Sequence, residues 1–307
     1  MALLLSVLEQ GMIYGILALG VYITYKILDF PDLTVDGSFP FGAAITVRLI
    51  SGFDVPAILT LPIAFLGGAL VGMCTGLIHV KLKVRDLLSG IIMMTGLYTI
   101  NLWVAGTGYV AIFNKENIFD NAFVNAICPD FLRSFKNVII IFLITMVAKY
   151  LLDWYMSTKS GFLLRAVGDN DTIVTSLGVD KGLVKIVGLS IANGLVSLSG
   201  CIYAQQQRSF EISIGTGAVV IGLASVIIGT SLFKKVTLLR VTSSVVVGSI
   251  LYKACVALAM FAGIDANAIK LITAVLFLII LVISMDRKGS DRRLAGTKKK
   301  ISKSEGR

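Results

Sequence analysis

The chain has 307 residues, of which 56% are hydrophobic and 15% charged, and its mean hydropathy is +0.88. These values exclude an ordinary soluble globular domain and predict a polytopic membrane protein. Glycine is frequent (30 residues) and proline scarce (5), which favours closely packed helices over a barrel, so we expect an all-α fold. The net charge of +10 resides mainly in loops and in the C-terminal tail, which predicts contact with anionic lipid and no nucleic-acid partner.

The first apolar run covers residues 3–28, enough for a span of about 20 residues. It lacks a basic start and a small-residue cleavage site, so we interpret it as the first span and not as a removable signal peptide. Three aspartates then occur together with Pro31, Gly37 and Pro40, and only a short apolar piece, residues 41–50, follows. Such an interrupted segment predicts a broken helix that lines a cavity. The alternative is a plain loop before a short tilted span.

Further apolar runs predict spans at residues 56–80, 87–104, 138–152, 186–203, 218–233, 241–262 and 268–285. Connections rich in Lys and Arg mark the inner side, and the long connection 105–137, with an interfacial helix expected around residues 121–135, marks the outer side. The result is eight spans, or nine if residues 41–50 also cross, with the N-terminus outside. We expect a permease domain at residues 1–286 and a basic cytoplasmic tail at residues 287–307.

Residues 160–182 form a polar loop between two predicted spans and carry too much charge for hydrocarbon, so we place them at the inner membrane face. Asp169, Asn170 and Asp171 can cap the start of a short helix there, and Gly178, directly after Leu177, can end it in the left-handed conformation. A capped helix at the membrane face is a shape that a soluble partner can bind. The alternative is an ordinary connecting loop.

Two segments resemble each other within the chain. Asp32-Leu33-Thr34-Val35 and Glu211-Ile212-Ser213-Ile214 share the order acid, branched aliphatic, hydroxyl, β-branched, and each precedes a glycine-rich helix start. The predicted spans before them run in opposite directions. This relation is expected of an inverted repeat whose broken elements meet near the membrane midplane, with coincidence as the alternative.

If the repeat is real, the backbone amides that open the helices after Gly37 and Gly217 favour an anionic group such as a carboxylate. Asp32, Asp36 and Glu211 could then face an ammonium group. The alternative is that these acids only cap helices, which we favour for Asp36. The residues predicted to line the path are Asp32, Thr34, Asp36, Gly37, Ser38, Glu211, Ser213, Gly215 and Gly217.

The sequence contains no phosphate-binding loop, nucleophile elbow or HExxH helix, and its four cysteines and single histidine show no metal-ligand spacing. We therefore predict no catalytic residues, no metal and no cofactor bound by this chain, which is not itself an enzyme. No predicted span carries the ladder of acids or histidines that a proton-coupled carrier uses. A transporter of this kind needs an external source of energy.

Several stretches resemble one family. GMIYGILALGVYITYKILDFPDLTVDGSF resembles the start of the permease subunits of ATP-binding-cassette (ABC) importers for branched-chain amino acids, and DLTVDGS is similar to a motif of the related ribose-type permeases. GFLLRAVGDNDTIVTSLGVDKG resembles the coupling loop of the same superfamily. The resemblance covers nearly all of residues 1–285 and is closest to the tryptophan/tyrosine transport permeases. One departure is Asp36, where the ribose type has glycine.

The resemblance implies two permease copies as a homodimer, two cytoplasmic ATPases that hold ATP and Mg, and an extracytoplasmic substrate-binding protein, all at the bacterial cytoplasmic membrane. Residues 168–179 would form the coupling helix in a groove of the ATPase. The residues that the resemblance and the loop pattern assign to this contact are Arg165, Gly168, Asp169, Asn170, Asp171, Thr172, Leu177 and Gly178.

The leading prediction is a permease subunit of an ABC importer for an amino acid, aromatic or branched-chain, or a similar small solute. The alternative is a stand-alone secondary transporter or channel, which also fits broken helices and an inverted repeat. An intramembrane enzyme is a third class, but no paired catalytic groups on facing spans support it.

Overall fold

The computed structural model describes residues 2–121, 135–176, 178–233 and 240–261, and nine further residues between 271 and 282. The described helices are α1 (Ala2–Val21, continued by a π-helical turn, Tyr22–Ile27), α2 (Val35–Gly52), α3 (Thr60–Val80), α4 (Asp86–Ala105), α5 (Lys136–Met156), α6 (Lys159–Asp169), α7 (Asp171–Ser176), α8 (Lys181–Gln207), α9 (Ala218–Leu232) and α10 (Val241–Phe261). Two short strands, β1 (Tyr109–Ala111) and β2 (Ser209–Glu211), pair antiparallel.

Seven of the described helices are long and apolar enough to cross a membrane, and α2 is not among them. The prediction of a polytopic all-α membrane protein is confirmed, and the predicted count of eight or nine spans is approximate. The interfacial helix expected near residues 121–135, most of the last span at 268–285 and the tail 287–307 lie outside the described residues.

Helix α8 forms the centre of the bundle and contacts α1, α2 and α3. Gly68, Gly72 and Gly76 recur at four-residue spacing on α3, on one face of that helix. A Cβ atom at Gly72 would overlap the carbonyl oxygen of Leu189 in α8, so the two backbones are in direct contact. Small residues at this spacing allow apolar helices to pack closely where no hydrophobic effect drives association.

The two ends of the bundle differ. At one end, which we call the strand side, β1 and β2 pair, and Thr60 at the start of α3 accepts a hydrogen bond from Gln205 near the end of α8. At the other end, which we call the basic side, Val80 at the end of α3 packs on Gly182 at the start of α8. α3 and α8 are therefore antiparallel, and the polar loop 160–182 belongs to the basic side.

Helix α2 begins in the interior of the bundle. The Ser38 hydroxyl in its first turns donates to Asn193, near the middle of α8, and Gly42 and Gly200 bring the two helices together further toward the strand side. α2 therefore starts about halfway through the bundle and runs to the strand side. The predicted short apolar piece, residues 41–50, is too short: the helix starts at Val35 and accommodates Pro40 within it.

Candidate functional site: the junction of two broken elements and the polar loop

The carboxylate of Asp36 joins the two helix starts that follow the similar segments 32–35 and 211–214. Its Oδ2 accepts a hydrogen bond from the Gly217 backbone N–H at 3.0 Å, and its Oδ1 accepts one from Val219 at 2.8 Å. These amides open α9, where unpaired N–H groups and the helix dipole favour a negative charge. Asp36 is thus a helix cap, but it caps a helix far along the chain. The predicted anion at the start of α9 is, in this structure, the protein's own aspartate.

Gly215 and Gly217 allow the segment before α9 to come close to the start of α2. A Cβ atom at Gly215 would overlap the carbonyl oxygen of Asp36 and come within 2.6 Å of Pro40 Cδ, so the 3₁₀ turn Ile212–Gly215 lies against the first turns of α2. Pro40 has no N–H and leaves the Asp36 carbonyl without its usual partner within the helix. Gly217 adopts φ 83°, which favours glycine. The two broken elements therefore meet in the interior of the bundle.

A second group of polar side chains is buried beside this junction. The Asp32 carboxylate, 3% exposed, accepts hydrogen bonds from the Thr34 N–H at 2.9 Å and from Asn193 Nδ2 at 2.8 Å. Ser38 donates to the other end of the Asn193 amide at 2.6 Å, and the Thr34 and Thr75 hydroxyls lie 3.1 Å apart. Because the groups are fully buried, each hydrogen bond offsets a substantial desolvation penalty.

The remaining predicted path residues are placed differently. Gly37 lies in the first turn of α2, not before it, and packs on Leu97 of α4. Glu211 ends β2, is exposed and accepts a hydrogen bond from Ser213. Glu211 and Ser213 therefore do not join the buried network around Asp32, although the sequence echo aligns Glu211 with Asp32.

The polar loop contains two helices where the sequence predicted one. Asp169 ends α6, and Asn170, in an extended conformation, separates α6 from α7. Gly178 has φ 75°, which confirms the predicted left-handed residue. Arg165, Asp169 and Asn170 are exposed, as a contact with a soluble partner requires. Leu177 and the side chains of Asp171 and Thr172 lie outside the described part of the chain.

Gly168 connects the polar loop to the interior. A Cβ atom at this position would overlap the carbonyl oxygen of Ile27, so α6 packs directly on the π-helical turn that ends α1. The chain continues from Ile27 to Asp32 and then into α2. The exposed loop and the buried network are thus joined through Ile27 and Leu28, which also packs on Gly188 of α8.

Asn193 and Thr75 are central to the buried network, but sequence reasoning did not select them. Each is a polar residue within an otherwise apolar run, and neither belongs to a recognisable motif. The available signal was their position: a polar side chain in the middle of a predicted span needs a partner inside the protein.

The fold and the junction define a class of protein: a multi-pass helical membrane protein in which two broken elements meet inside the bundle. More specifically, residues 3–284 match the family model described as branched-chain amino acid transport system / permease component, and the chain belongs to this family.

Individual relatives agree with the family. The chain is 40% identical over 278 residues, 91% of its length and 90% of the relative, to a tyrosine transport system permease protein of Clostridioides difficile. It is 27% identical over 226 residues, 70% of each chain, to a probable branched-chain amino acid transport permease of Methanocaldococcus jannaschii. It is 26% identical over 228 residues, 74% of this chain and 68% of the relative, to the ribose import permease of Escherichia coli. No solved structure shows a significant match.

Proposed function

We propose that this permease moves an amino acid, aromatic or branched-chain, or a similar small solute across the bacterial cytoplasmic membrane. Energy comes from a separate cytoplasmic ATPase that carries ATP and Mg, and an extracytoplasmic binding protein delivers the solute. Two copies of the chain form the path as a homodimer embedded in lipid. The names of the relatives support the substrate class, since they include a tyrosine permease and a branched-chain amino acid permease.

The observation that carries the coupling part of this proposal is the contact between Gly168 and Ile27. The ATPase binds the exposed surface of α6 and α7, at residues 160–182, on the cytoplasmic side. A shift of α6 displaces the π-helical turn of α1, because no side chain lies between Gly168 and the Ile27 backbone. The displacement reaches Asp32 and then the junction of α2 with α9. The two halves of the permease then rock against each other and open the path.

A charge reversal at Asp169 tests the coupling surface. In the assembled importer, Asp169→Arg is expected to insert normally but to lose substrate-stimulated ATPase activity, as is a deletion of residues 172–177. Glu116→Arg makes the same change at an exposed acid on the strand side and should leave stimulation intact. Stimulated activity equal to wild type in Asp169→Arg and in the deletion variant would remove the coupling assignment.

A thermal-shift screen of the associated binding protein against aromatic amino acids, branched-chain amino acids and sugars tests the substrate class. Stabilisation by amino acids alone is the expected result. Stabilisation only by a sugar would assign this importer to the ribose-like group. Uptake by the purified permease alone, driven by an ion gradient, would instead favour a secondary carrier.

A further inference from the structure

An apolar groove lies on the outer surface of the bundle between α3 and α5. Its volume is about 620 Å³, within the range of pockets that hold small organic molecules. Side chains of three helices line it: residues between 61 and 66 of α3, residues between 144 and 155 of α5, and Ile191, Leu195 and Leu198 of α8. The described lining residues carry no charge. Leu66 and Leu151 are exposed on membrane-spanning helices, so the groove opens to lipid.

The groove ends on the basic side of the bundle. Lys136, the first residue of α5, lines a cavity with Arg208 on the strand side, so α5 runs from the strand side to the basic side. The groove follows α5 from Ile144 to Tyr155, eleven residues or about 16 Å. The hydrocarbon of one leaflet is about 15 Å deep, whereas a transmembrane helix needs about 30 Å. The length of the groove therefore fits a lipid acyl chain from the leaflet on the basic side.

Polar groups surround the basic end of the groove. Trp154 and Tyr155 line this end, and both residue types collect at the level of lipid head groups. The Tyr155 hydroxyl lies 2.9 Å from the Ser160 hydroxyl, so one of the two protons is free for a further acceptor. Lys159, next to Ser160, is the exposed first residue of α6. In the part of the chain that the structure describes, no carboxylate lies within 4.0 Å of its ammonium.

We infer that this groove binds an anionic phospholipid from the leaflet on the basic side. One acyl chain lies between α3 and α5, and the phosphate contacts the Lys159 ammonium and the hydroxyl pair of Tyr155 and Ser160. Basic residues beside grooves between membrane helices attract anionic head groups, and the start of α6 adds the positive end of a helix dipole. Because the lining is uncharged, the head group decides which lipid binds.

This site is separate from the path of the solute. Lys159 opens α6, the helix whose Gly168 packs on the end of α1. The bound head group therefore adjoins the element to which the proposed function assigns coupling. Lipid binding itself requires neither transport nor an ATPase, so it is tested on the permease alone.

The two tryptophans of the chain provide matched fluorescent reporters. Trp154 lines the groove, whereas Trp103 lies on α4, and the two are 69% and 79% exposed. Trp103→Phe leaves only the groove reporter, and Trp154→Phe leaves only the control. The purified full chain is placed in phosphatidylcholine nanodiscs that contain increasing fractions of phosphatidylglycerol or phosphatidylcholine with brominated acyl chains, since bromine quenches tryptophan on contact.

We expect brominated phosphatidylglycerol to quench Trp154 with an apparent affinity about fivefold above that of brominated phosphatidylcholine, the preference that one lysine gives near an anionic lipid. Trp103 should be quenched equally by both lipids. Equal quenching of Trp154 would indicate ordinary boundary lipid and overturn the site. Protection of Trp154 from both lipids, with Trp103 quenched, would show that a second copy of the chain covers the groove, which also overturns it.

Variants in the Trp103→Phe background separate the head group from the acyl chain. Lys159→Gln should abolish the preference for phosphatidylglycerol, whereas Lys83→Gln, at an exposed lysine in the α3–α4 connection on the basic side, should retain it. Val147→Phe fills the groove from an exposed position and should also reduce the preference. An unchanged preference in Lys159→Gln would contradict the head-group contact. These results leave the ATPase coupling test unaffected, because the assay contains no ATPase.

Discussion

At the scale of single residues, the polar side chains inside the bundle determine how its parts are joined. Asp36 illustrates this, since it lies in the first turn of α2 and accepts two hydrogen bonds from the start of α9. Hydrogen bonds to charged groups contribute about 1.5–3 kcal/mol each, more than neutral ones. Asp32 depends in the same way on Asn193, 161 positions away in the sequence. Single side chains thus connect segments that are distant along the chain.

Asp36→Ala is therefore expected to lower the thermal stability of the purified permease, at a cost of about 2–4 kcal/mol, because two amides at the start of α9 lose their acceptor. Asp36→Asn keeps one acceptor oxygen without the charge and should cost less. Asp29→Asn, at an exposed aspartate in the same connection, serves as the control. Equal unfolding temperatures for Asp36→Ala and Asp29→Asn would argue against the cap.

At the scale of elements, contact between backbones determines which helices are neighbours. The glycines of α3 fit α8, Gly168 of α6 fits the end of α1, and Gly215 fits the start of α2. Each of these contacts joins two elements without an intervening side chain, so movement of one displaces the other. The α3–α8 contact is repeated at Gly68, Gly72 and Gly76 and so holds two helices together along their length, whereas α6 meets the end of α1 at Gly168.

Substitution of Gly72 by alanine tests the α3–α8 contact. The new methyl group would overlap the Leu189 carbonyl, so we expect separation of the two helices and a loss of several kcal/mol, seen as poor recovery of monodisperse protein. Gly96→Ala provides a matched control within α4, because no atom lies within 4 Å of its added methyl group. That control should be neutral or slightly stabilising. Similar behaviour of the two variants would contradict the direct contact.

At the scale of the whole molecule, the bundle has a strand side and a basic side, and the proposed function requires a definite orientation. The polar loop must face the cytoplasmic ATPase, and the strand side must face the extracytoplasmic binding protein. The asymmetry of charge favours this orientation, because lysines and arginines collect on the cytoplasmic side of membrane proteins. Solute would then pass from the strand side to the junction at Asp36.

Cysteine accessibility in intact cells tests the orientation. In a cysteine-free background, Asn170→Cys should react with a membrane-impermeant maleimide only after the cells are opened, whereas Glu116→Cys should react in intact cells. Both positions are exposed, so a difference in labelling reports the side of the membrane and not burial. Labelling of Asn170→Cys in intact cells would reverse the topology and exclude a cytoplasmic ATPase at residues 160–182.

The sequence by itself determined the class of the protein, because apolar runs of membrane-spanning length and basic loops follow directly from the solvation of side chains and backbone in lipid. It also indicated the break before α2, from Pro31, and the left-handed Gly178, whereas Gly37 and Pro40 lie within α2. Only the tertiary structure decided that Asp36 caps α9, that Asn193 meets Asp32, and that Glu211 lies apart from both. Hydropathy fixes that a helix crosses the membrane but not which face meets which neighbour, and that choice depends on close packing between residues far apart in the chain.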